Sequence, residues 1–194
     1  MNKQVRARGI CARRPEMKKI ACFIPGIFLA LSLLPGPTAA TDVFLNNTVA
    51  KIYFSPDGGA LKALTRHIGQ ATREILVQSY IFTSKPVQSA LINARRRGVH
   101  IDVILDKDEQ KERKYVTARV FKTDGITVWL DDRHACSHNK IIIIDRDTVI
   151  TGSFNFTYAA EKRNAENLLI IPSTDLAGLY TDNFLMHRQH SVKY

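Results

Sequence analysis

Apolar and polar residues alternate along this chain with a period that switches repeatedly between two and about 3.6 residues. Val49–Phe54, Glu74–Phe82 and His100–Asp106 have the short period of strands, and Ala60–Ala71 and Ser84–Arg97, which lie between them, have helical spacing. Strands separated by single helices are typical of a domain in which helices cover a largely parallel sheet.

The pattern changes after Leu130. Before it, a polar stretch at 107–114 leads into a predicted helix at Tyr115–Lys122 and a strand at Ile126–Leu130. After it, three strands and a closing helix are predicted at His138–Ile144, Thr148–Thr151, Asn167–Ile171 and Asp175–His187. We therefore predict one α/β domain over residues 41–194, with a mixed, mostly parallel sheet flanked by helices.

The first forty residues predict a signal peptide. Lys18 and Lys19 precede an apolar run over Ile20–Leu34, and small residues follow up to Ala40. A transmembrane helix needs about 20 apolar residues, and this run is shorter and is interrupted by proline and glycine. We expect residues 1–40 to be removed, with Met17 as an alternative start, which leaves a periplasmic or secreted protein without a membrane anchor.

Removal of this leader changes the charge that bears on binding partners. The full chain has a formal net charge of +10, but residues 41–194 hold 21 basic and 17 acidic residues, a net charge of +4. That mild excess favours an anionic partner only weakly. Cys136 is the one cysteine within residues 41–194, so we expect no intrachain disulfide there and a partly buried thiol.

One segment groups residues that can carry chemistry. Four consecutive isoleucines at 141–144 predict a strand that is buried on both faces. His138 and Lys140 lie two residues apart at the start of this strand, so their side chains should share a face.

A hairpin would bring two more polar side chains to the same place. If residues 146 and 147 form a two-residue turn, the next strand returns antiparallel to the first. His138 then faces Asn155, and Lys140 faces Ser153. Opposed residues share a face, so the four polar groups are predicted to converge at one strand end.

These residue types suit the cleavage of a phosphodiester. A neutral histidine can attack phosphorus, so His138 is the predicted nucleophile. Lys140, Ser153 and Asn155 can donate hydrogen bonds to the phosphate oxygens, and Lys140 is counted with the catalytic residues. Gly152 is expected to let backbone and ligand approach closely.

Two carboxylates near this segment are assigned different roles. Asp145 lies a whole strand away from His138, about 23 Å for an extended chain, so it is predicted to fix the hairpin turn. Glu166 enters the strand that begins at Asn167 and is predicted to hold the His138 imidazole in its reactive tautomer.

The spacing H-x-K-x(4)-D-x(6)-G-S-x-N, from His138 to Asn155, resembles the phospholipase D superfamily. The leader and the small mature domain are most similar to the bacterial EDTA-resistant endonucleases of that superfamily. This resemblance implies an exported, metal-independent, nonspecific endonuclease that cleaves DNA or RNA through a phosphohistidine, without a cofactor. Sites of the family use two copies of the motif and this chain has one, so the resemblance also implies a homodimer that pairs two His138 side chains.

Other interpretations stay open. A phospholipase D acting on phospholipid head groups would use the same motif, and a nucleic-acid-binding protein without turnover could share the fold. His134 lies four residues before His138, a spacing that can bind zinc on a helix, although we expect no metal site; His134 could also be the general acid within one chain. Lys111, Arg113 and Lys114 follow the end of a predicted strand, where they are candidates to contact nucleic acid.

Overall fold

An eight-stranded sheet forms the centre of residues 42–194, which make one compact unit. The structure, a computed structural model, describes residues 41–43, 45 and 48–194, so the predicted signal peptide and the alternative start at Met17 lie outside the described residues. The strands are β1 (Lys51–Ser55), β2 (Glu74–Ser79), β3 (His100–Asp106), β4 (Thr127–Asp131), β5 (Lys140–Ile144), β6 (Thr148–Gly152), β7 (Glu166–Pro172) and β8 (Val192–Lys193). The helices are α1 (Ala60–Gln70), α2 (Lys85–Arg96), α3 (Lys107–Glu112), α4 (Val116–Thr123), α5 (Tyr158–Lys162) and α6 (Thr174–His190).

Helices flank a mixed sheet, as predicted, but most neighbouring strands are antiparallel. The strand order is β1-β7-β6-β5-β2-β3-β4-β8. Only the pairs β2–β3 and β3–β4 are parallel. The other five pairings are antiparallel, so the expectation of a mostly parallel sheet is wrong outside β2–β3–β4. Helical crossovers link the parallel strands, whereas shorter connections fold β5, β6 and β7 back on one another.

Each face of the sheet has its own core. Ile142 and Ile144 of β5 belong to the larger core, which α1, α2 and α4 cover. Ile141 and Ile143 point to the opposite face, where they pack in a smaller core with Phe184 of α6. Each of the four isoleucines is at most 6% exposed, which confirms the prediction of a strand buried on both faces.

The hydrophobic pattern does not reveal three short elements. Helix α3 forms inside the predicted polar stretch because the Asp106 carboxylate accepts a hydrogen bond of 2.8 Å from the Glu109 N–H and so caps the helix. Helix α5 has a similar cap at Thr157, and β8 is only two residues long. Within the described ranges, no helix combines the length and apolar character that crossing a bilayer requires.

Candidate active site

Four strand ends meet at one edge of the sheet, which we call the catalytic edge. Lys140, the first residue of β5, pairs with Ser79, the last residue of β2. Ser79 also pairs with Leu105 of β3, which in turn pairs with Leu130 of β4. The carboxyl ends of parallel strands are where open α/β sheets commonly bind ligands, so this edge is the expected place for a site.

The β5–β6 hairpin has a turn of three residues instead of two. Ile144 pairs with Thr148, which leaves Asp145, Arg146 and Asp147 between the strands. Asp145 and Arg146 have φ values of 52° and 57°, and the Asp147 N–H donates a hydrogen bond of 3.0 Å to the Ile144 carbonyl. Asp145 and Arg146 are thus the two central residues of a tight turn that matches strand twist, and Asp147 is an additional residue before β6.

This turn shifts the hairpin register by one residue. Continued to the catalytic edge, the register places Lys140 opposite Gly152. The predicted pairing of Lys140 with Ser153 and of His138 with Asn155 is therefore wrong. Ser153 and Asn155 instead follow the end of β6, where the chain leaves the strand.

His138 and Lys140 nevertheless lie in direct contact. The Lys140 Nζ is 2.9 Å from His138 Nδ1 and donates a hydrogen bond of 2.7 Å to the His138 carbonyl. The ring of Tyr80 lies 4.6 Å from the His138 ring and 5.2 Å from Lys140 Nζ, measured to ring centroids. His138 is exposed, whereas Lys140 is only 6% exposed, so the buried lysine supports a histidine that is open to a ligand.

Burial shifts the pKa values of Lys140 and Tyr80. It lowers the pKa of the Lys140 ammonium, against the opposing influence of Cys136 and Glu166. Burial also raises the pKa of Tyr80 to about 12, with further contributions from Glu109 and Cys136, so the phenol stays protonated. Sequence reasoning missed Tyr80, although its place directly after β2, the strand that pairs with Lys140, was a usable signal.

Ser153 is tied to the start of β7. Its hydroxyl donates a hydrogen bond of 2.5 Å to Glu166 Oε2 and accepts one of 3.0 Å from the Asn167 N–H. The second oxygen of Glu166 accepts a hydrogen bond of 3.0 Å from the Asn164 side chain. Both carboxylate oxygens therefore have partners other than His138, and the orienting role of Glu166 remains a prediction.

Gly152 is needed for close packing between strands. Its φ is 149°, and a Cβ at this position would lie 2.3 Å from the backbone oxygen of Asn167. The close approach that the structure shows is to β7, and the close approach of a ligand predicted from the sequence stays a prediction. The approach to β7 lets the Asn167 carbonyl accept hydrogen bonds from the N–H groups of Ser153 and Phe154, at 3.2 and 3.3 Å. Asn155 follows, with its side-chain oxygen buried and without a hydrogen-bond partner.

Asp145 lies at the opposite end of β5 and anchors the turn there. Its carboxylate accepts hydrogen bonds from the N–H groups of Thr72, Arg73 and Glu74, at 2.7–2.9 Å, and from the Thr72 hydroxyl at 2.9 Å. Burial alone would raise the pKa of Asp145, but these hydrogen bonds outweigh it and hold the pKa below the ordinary value. These contacts agree with the structural role predicted for it.

A cavity of about 320 Å³ opens beside the histidine. The catalytic edge supplies one wall through His138, Lys140 and Gly152, and helix α6 supplies the other through Tyr180 and Asn183. A cavity with an exposed imidazole, a buried ammonium and a nearby aromatic ring can hold a phosphate ester together with the group attached to it.

The basic residues proposed from the sequence are on the surface near this edge. Lys111 lies in α3, which starts directly after β3, and Arg113 and Lys114 follow that helix. All three are exposed. Arg113 Nε is 3.2 Å from a Glu109 carboxylate oxygen, so part of its charge is compensated within the chain.

His134 has partners other than His138. Its Nδ1 is 2.9 Å from Asp131 Oδ2, and its ring lies 4.9 Å from the ring of His187. Within the described part of the chain, no ring contact joins His134 to His138, so the structure gives no support to a zinc site made by those two. Cys136, between them, is a free thiol and is exposed rather than partly buried.

An exposed imidazole beside a buried ammonium and a fixed hydroxyl provides the groups that phosphoryl transfer requires. Residues 64–188 match the family described as "Cardiolipin synthase, PLD-like domain", which covers more than half of the chain. The chain belongs to the phospholipase D superfamily, whose members are phosphodiesterases.

Individual relatives are similar over most of the described region. A protein named phospholipase D from Rickettsia felis is 42% identical over 132 residues, which are 68% of this chain and 66% of that protein. The crystal structure of Nuc, a phospholipase D family member from Salmonella typhimurium, superposes with a TM-score of 0.73 at 30% identity, over 76% of this chain and 98% of Nuc. A mitochondrial cardiolipin hydrolase from Mus musculus is 30% identical over 125 residues, 64% of this chain and 56% of that protein.

Proposed function

We propose that this protein is an exported, metal-independent, nonspecific endonuclease that works as a homodimer through a phosphohistidine. The observation that carries the proposal is the contact between the exposed His138 and the buried Lys140 at the catalytic edge. The similarity to Nuc, over nearly the whole length of that structure, supports a nuclease of the same small size.

The proposed reaction has two displacements at phosphorus. The His138 Nε2 attacks the phosphodiester, an N–P bond forms, and the P–O bond to the leaving group breaks. The leaving oxygen takes a proton from the general acid of the site, which in the proposed homodimer is the second His138. Water then attacks phosphorus, returns a proton to that acid, and releases the phosphate ester while His138 regains its free ring nitrogen.

The contact with Lys140 affects which tautomer His138 adopts, and the tautomer decides whether His138 can act as nucleophile. An ammonium only donates, so His138 Nδ1 accepts and the ring proton lies on Nε2. This tautomer presents an Nε2–H group that can donate a hydrogen bond to a leaving oxygen, and transfer of a proton to that oxygen requires the imidazolium form. The nucleophilic tautomer carries its proton on Nδ1 and needs an acceptor there, which is the role that we propose for Glu166.

Lys140, Ser153 and Asn155 are proposed to stabilise the charge on phosphorus. Lys140 is buried, so its ammonium acts in a medium of low dielectric constant and interacts strongly with a phosphate oxygen. The Ser153 hydroxyl is already fixed by β7. The Asn155 amide oxygen makes no hydrogen bond, and we propose that the NH₂ group of this side chain donates to the phosphate.

A homodimer would complete the site. The described residues contain one copy of the motif, and a single histidine cannot be both nucleophile and general acid in one step. Two exposed His138 side chains that meet across a twofold axis would supply both groups. Sedimentation analysis of the purified protein should give a dimer mass. A monomer with full activity would contradict this part of the proposal.

The alternative is a phospholipase D that acts on phospholipid head groups. The names of the Rickettsia felis and Mus musculus relatives favour it, and the cavity beside His138 is large enough for a head group. The relatives in question extend beyond the region that they share with this chain, because that region is 66% and 56% of their lengths.

One experiment separates these functions. Plasmid DNA in excess EDTA and vesicles of phosphatidylcholine are offered to the protein, to His138→Ala and to a control, His100→Ala. His100 begins β3 at the far end of the sheet and its side chain is 59% exposed. We expect EDTA-resistant DNA cleavage by the protein and the control only. Choline release without DNA cleavage would establish the alternative, and salt-sensitive DNA binding without either product would indicate a binding protein.

Export is tested separately. We expect the protein recovered from the periplasm or the medium of a producing bacterium to begin near Thr41. Mass spectrometry of its N-terminus measures this, and a cytoplasmic protein that retains residues 1–40 would contradict the proposal.

A further inference from the structure

A second polar cluster lies where β4 and α6 end, and no step of the proposed hydrolysis uses it. It consists of one aspartate and three histidines: Asp131, His134, His187 and His190. Each of them offers one ligand atom, and these four atoms lie within 4.8 Å of one another. Measured from Asp131 Oδ2, the nearest ring nitrogens are 2.9, 3.3 and 3.8 Å away, in the order of the histidines along the chain.

The cluster has more ring nitrogens than the carboxylate can satisfy. The Asp131 side chain is completely buried and has hydrogen bonds with His134 and His187. His190 Nε2 is buried as well, but it makes no hydrogen bond. An unpaired buried polar atom destabilises the folded protein. A cation at the centre of the cluster would give this nitrogen a partner and would also bind the carboxylate.

We propose that these four residues bind one Zn²⁺ ion. Imidazole nitrogens and carboxylate oxygens are among the ligand atoms that zinc binds, and four protein ligands leave no open position, as in structural sites. Tetrahedral zinc with bonds of about 2.0–2.1 Å separates its ligand atoms by about 3.3 Å, so the widest separation must close by roughly 1.5 Å. His134, whose side chain is 44% exposed, lies on the solvent side and leaves a path for the ion.

The ligands come from three segments that the ion would join. Asp131 ends β4, His134 lies in the loop that leads to His138, and His187 and His190 are one turn apart at the end of α6. Zinc would therefore fix the loop that carries the catalytic histidine to the helix that lines the neighbouring cavity. The ion is structural in this proposal, since His138 is not one of its ligands.

The site is tested by metal binding rather than by activity. The chelator-stripped protein is titrated with Zn²⁺ in competition with a chromophoric chelator, and its metal content is measured after gel filtration. We expect one equivalent per chain, a higher melting temperature with zinc, and the visible bands of tetrahedral Co²⁺ when cobalt replaces zinc.

Variants assign the ligands. His187→Ala and His190→Ala should lower zinc affinity at least about tenfold and remove the thermal shift. His134→Asn changes an exposed side chain, so it should lower affinity in a protein that still folds by circular dichroism. His100→Ala and His138→Ala should retain the full equivalent. Zinc binding that all three cluster variants retain, or that His138→Ala abolishes, would overturn the site.

These readouts do not depend on the proposed hydrolysis. A protein that binds one zinc but cleaves no phosphodiester would contradict the proposed function and leave the metal site standing. A protein that cleaves DNA but binds no zinc would contradict the metal site and leave the proposed function standing.

Discussion

Ser153 donates a hydrogen bond of 2.5 Å to Glu166, so the hydroxyl proton that should serve the phosphate is bound to a carboxylate in the free protein. A hydroxyl has one proton, and it cannot go to Glu166 and to a ligand at the same time. We therefore expect an exchange when substrate binds: Ser153 turns to the phosphate, and the released Glu166 oxygen accepts the Nδ1 proton of His138.

Variants of this pair should be strongly coupled. Glu166→Gln should lower kcat by about 10²–10⁴, because it removes the acceptor that selects the His138 tautomer. Ser153→Ala should lower kcat by about 10²–10³ through loss of one phosphate donor. In steady-state kinetics, the loss of kcat in the double variant should be smaller than the product of the two single losses, by a coupling free energy of about 0.5–3 kcal/mol. Independent effects would show that the two residues act on separate steps.

Lys140→Met should separate activity from stability. Lys140 is 6% exposed, and replacing a buried charge by an apolar side chain of similar volume is often neutral or stabilising. We expect kcat to fall by about 10²–10³ while the denaturation midpoint is unchanged or higher. Urea titrations and DNA cleavage assays measure the two effects. A large loss of stability would mean that the Lys140 hydrogen bond to the His138 carbonyl dominates.

Gly152→Ala should destabilise the protein, by about 1–3 kcal/mol or more. The new methyl group would lie 2.3 Å from the Asn167 oxygen at a φ of 149°. Gly178→Ala is the matched control, because it lies within α6 with nothing within 4 Å of the added carbon, and there alanine should be neutral or stabilising. Equal denaturation midpoints for both variants would refute the packing role of Gly152.

Asp145→Asn should lower stability at neutral pH by about 1–3 kcal/mol, because the carboxylate accepts four hydrogen bonds at the turn. Its pKa is lowered below 3.8 in the folded protein, so its contribution is complete above pH 3.8 and is lost as the pH falls through the folded value. The gap in melting temperature between the protein and the variant should therefore narrow below pH 4. Asp182→Asn, an exposed change on α6, should show no such gap.

Lys111→Ala combined with Lys114→Ala should weaken DNA binding without changing kcat. Each exposed lysine that contacts a phosphate releases a counterion, so losing two contacts should reduce the slope of log K against log salt by about 2. Fluorescence anisotropy with a labelled duplex at several salt concentrations measures this, in His138→Ala proteins to prevent cleavage. An unchanged slope would place the nucleic acid elsewhere.

The sequence predicts the order of the eleven longer elements well, since they depend on patterns of burial that are visible along the chain. The hairpin register is different. Whether two or three residues form the turn is decided by Asp145, whose positive φ is supported by hydrogen bonds to Thr72–Glu74, more than seventy residues earlier. Local sequence carries no signal for such a contact.

The histidine cluster escaped sequence reasoning for a related reason. The hydrophobic pattern predicts a final helix that ends at His187, which leaves His190 and its one-turn spacing outside that helix. Sequence spacing relates His134 to His138, because both lie in one short segment. The two histidines that His134 contacts lie more than fifty residues away, and only the packing of α6 against the sheet brings them together.

The hairpin also accounts for the spacing between the residues of the motif. Asp145 anchors one end of β5 and β6, and Lys140 and Gly152 meet at the other, five residues along each strand. The spacing of the motif residues therefore reflects the length of the two strands. One extra residue in either strand would turn Lys140 away from Gly152, so loops elsewhere can grow freely while this hairpin can lengthen only by equal, even steps in both strands.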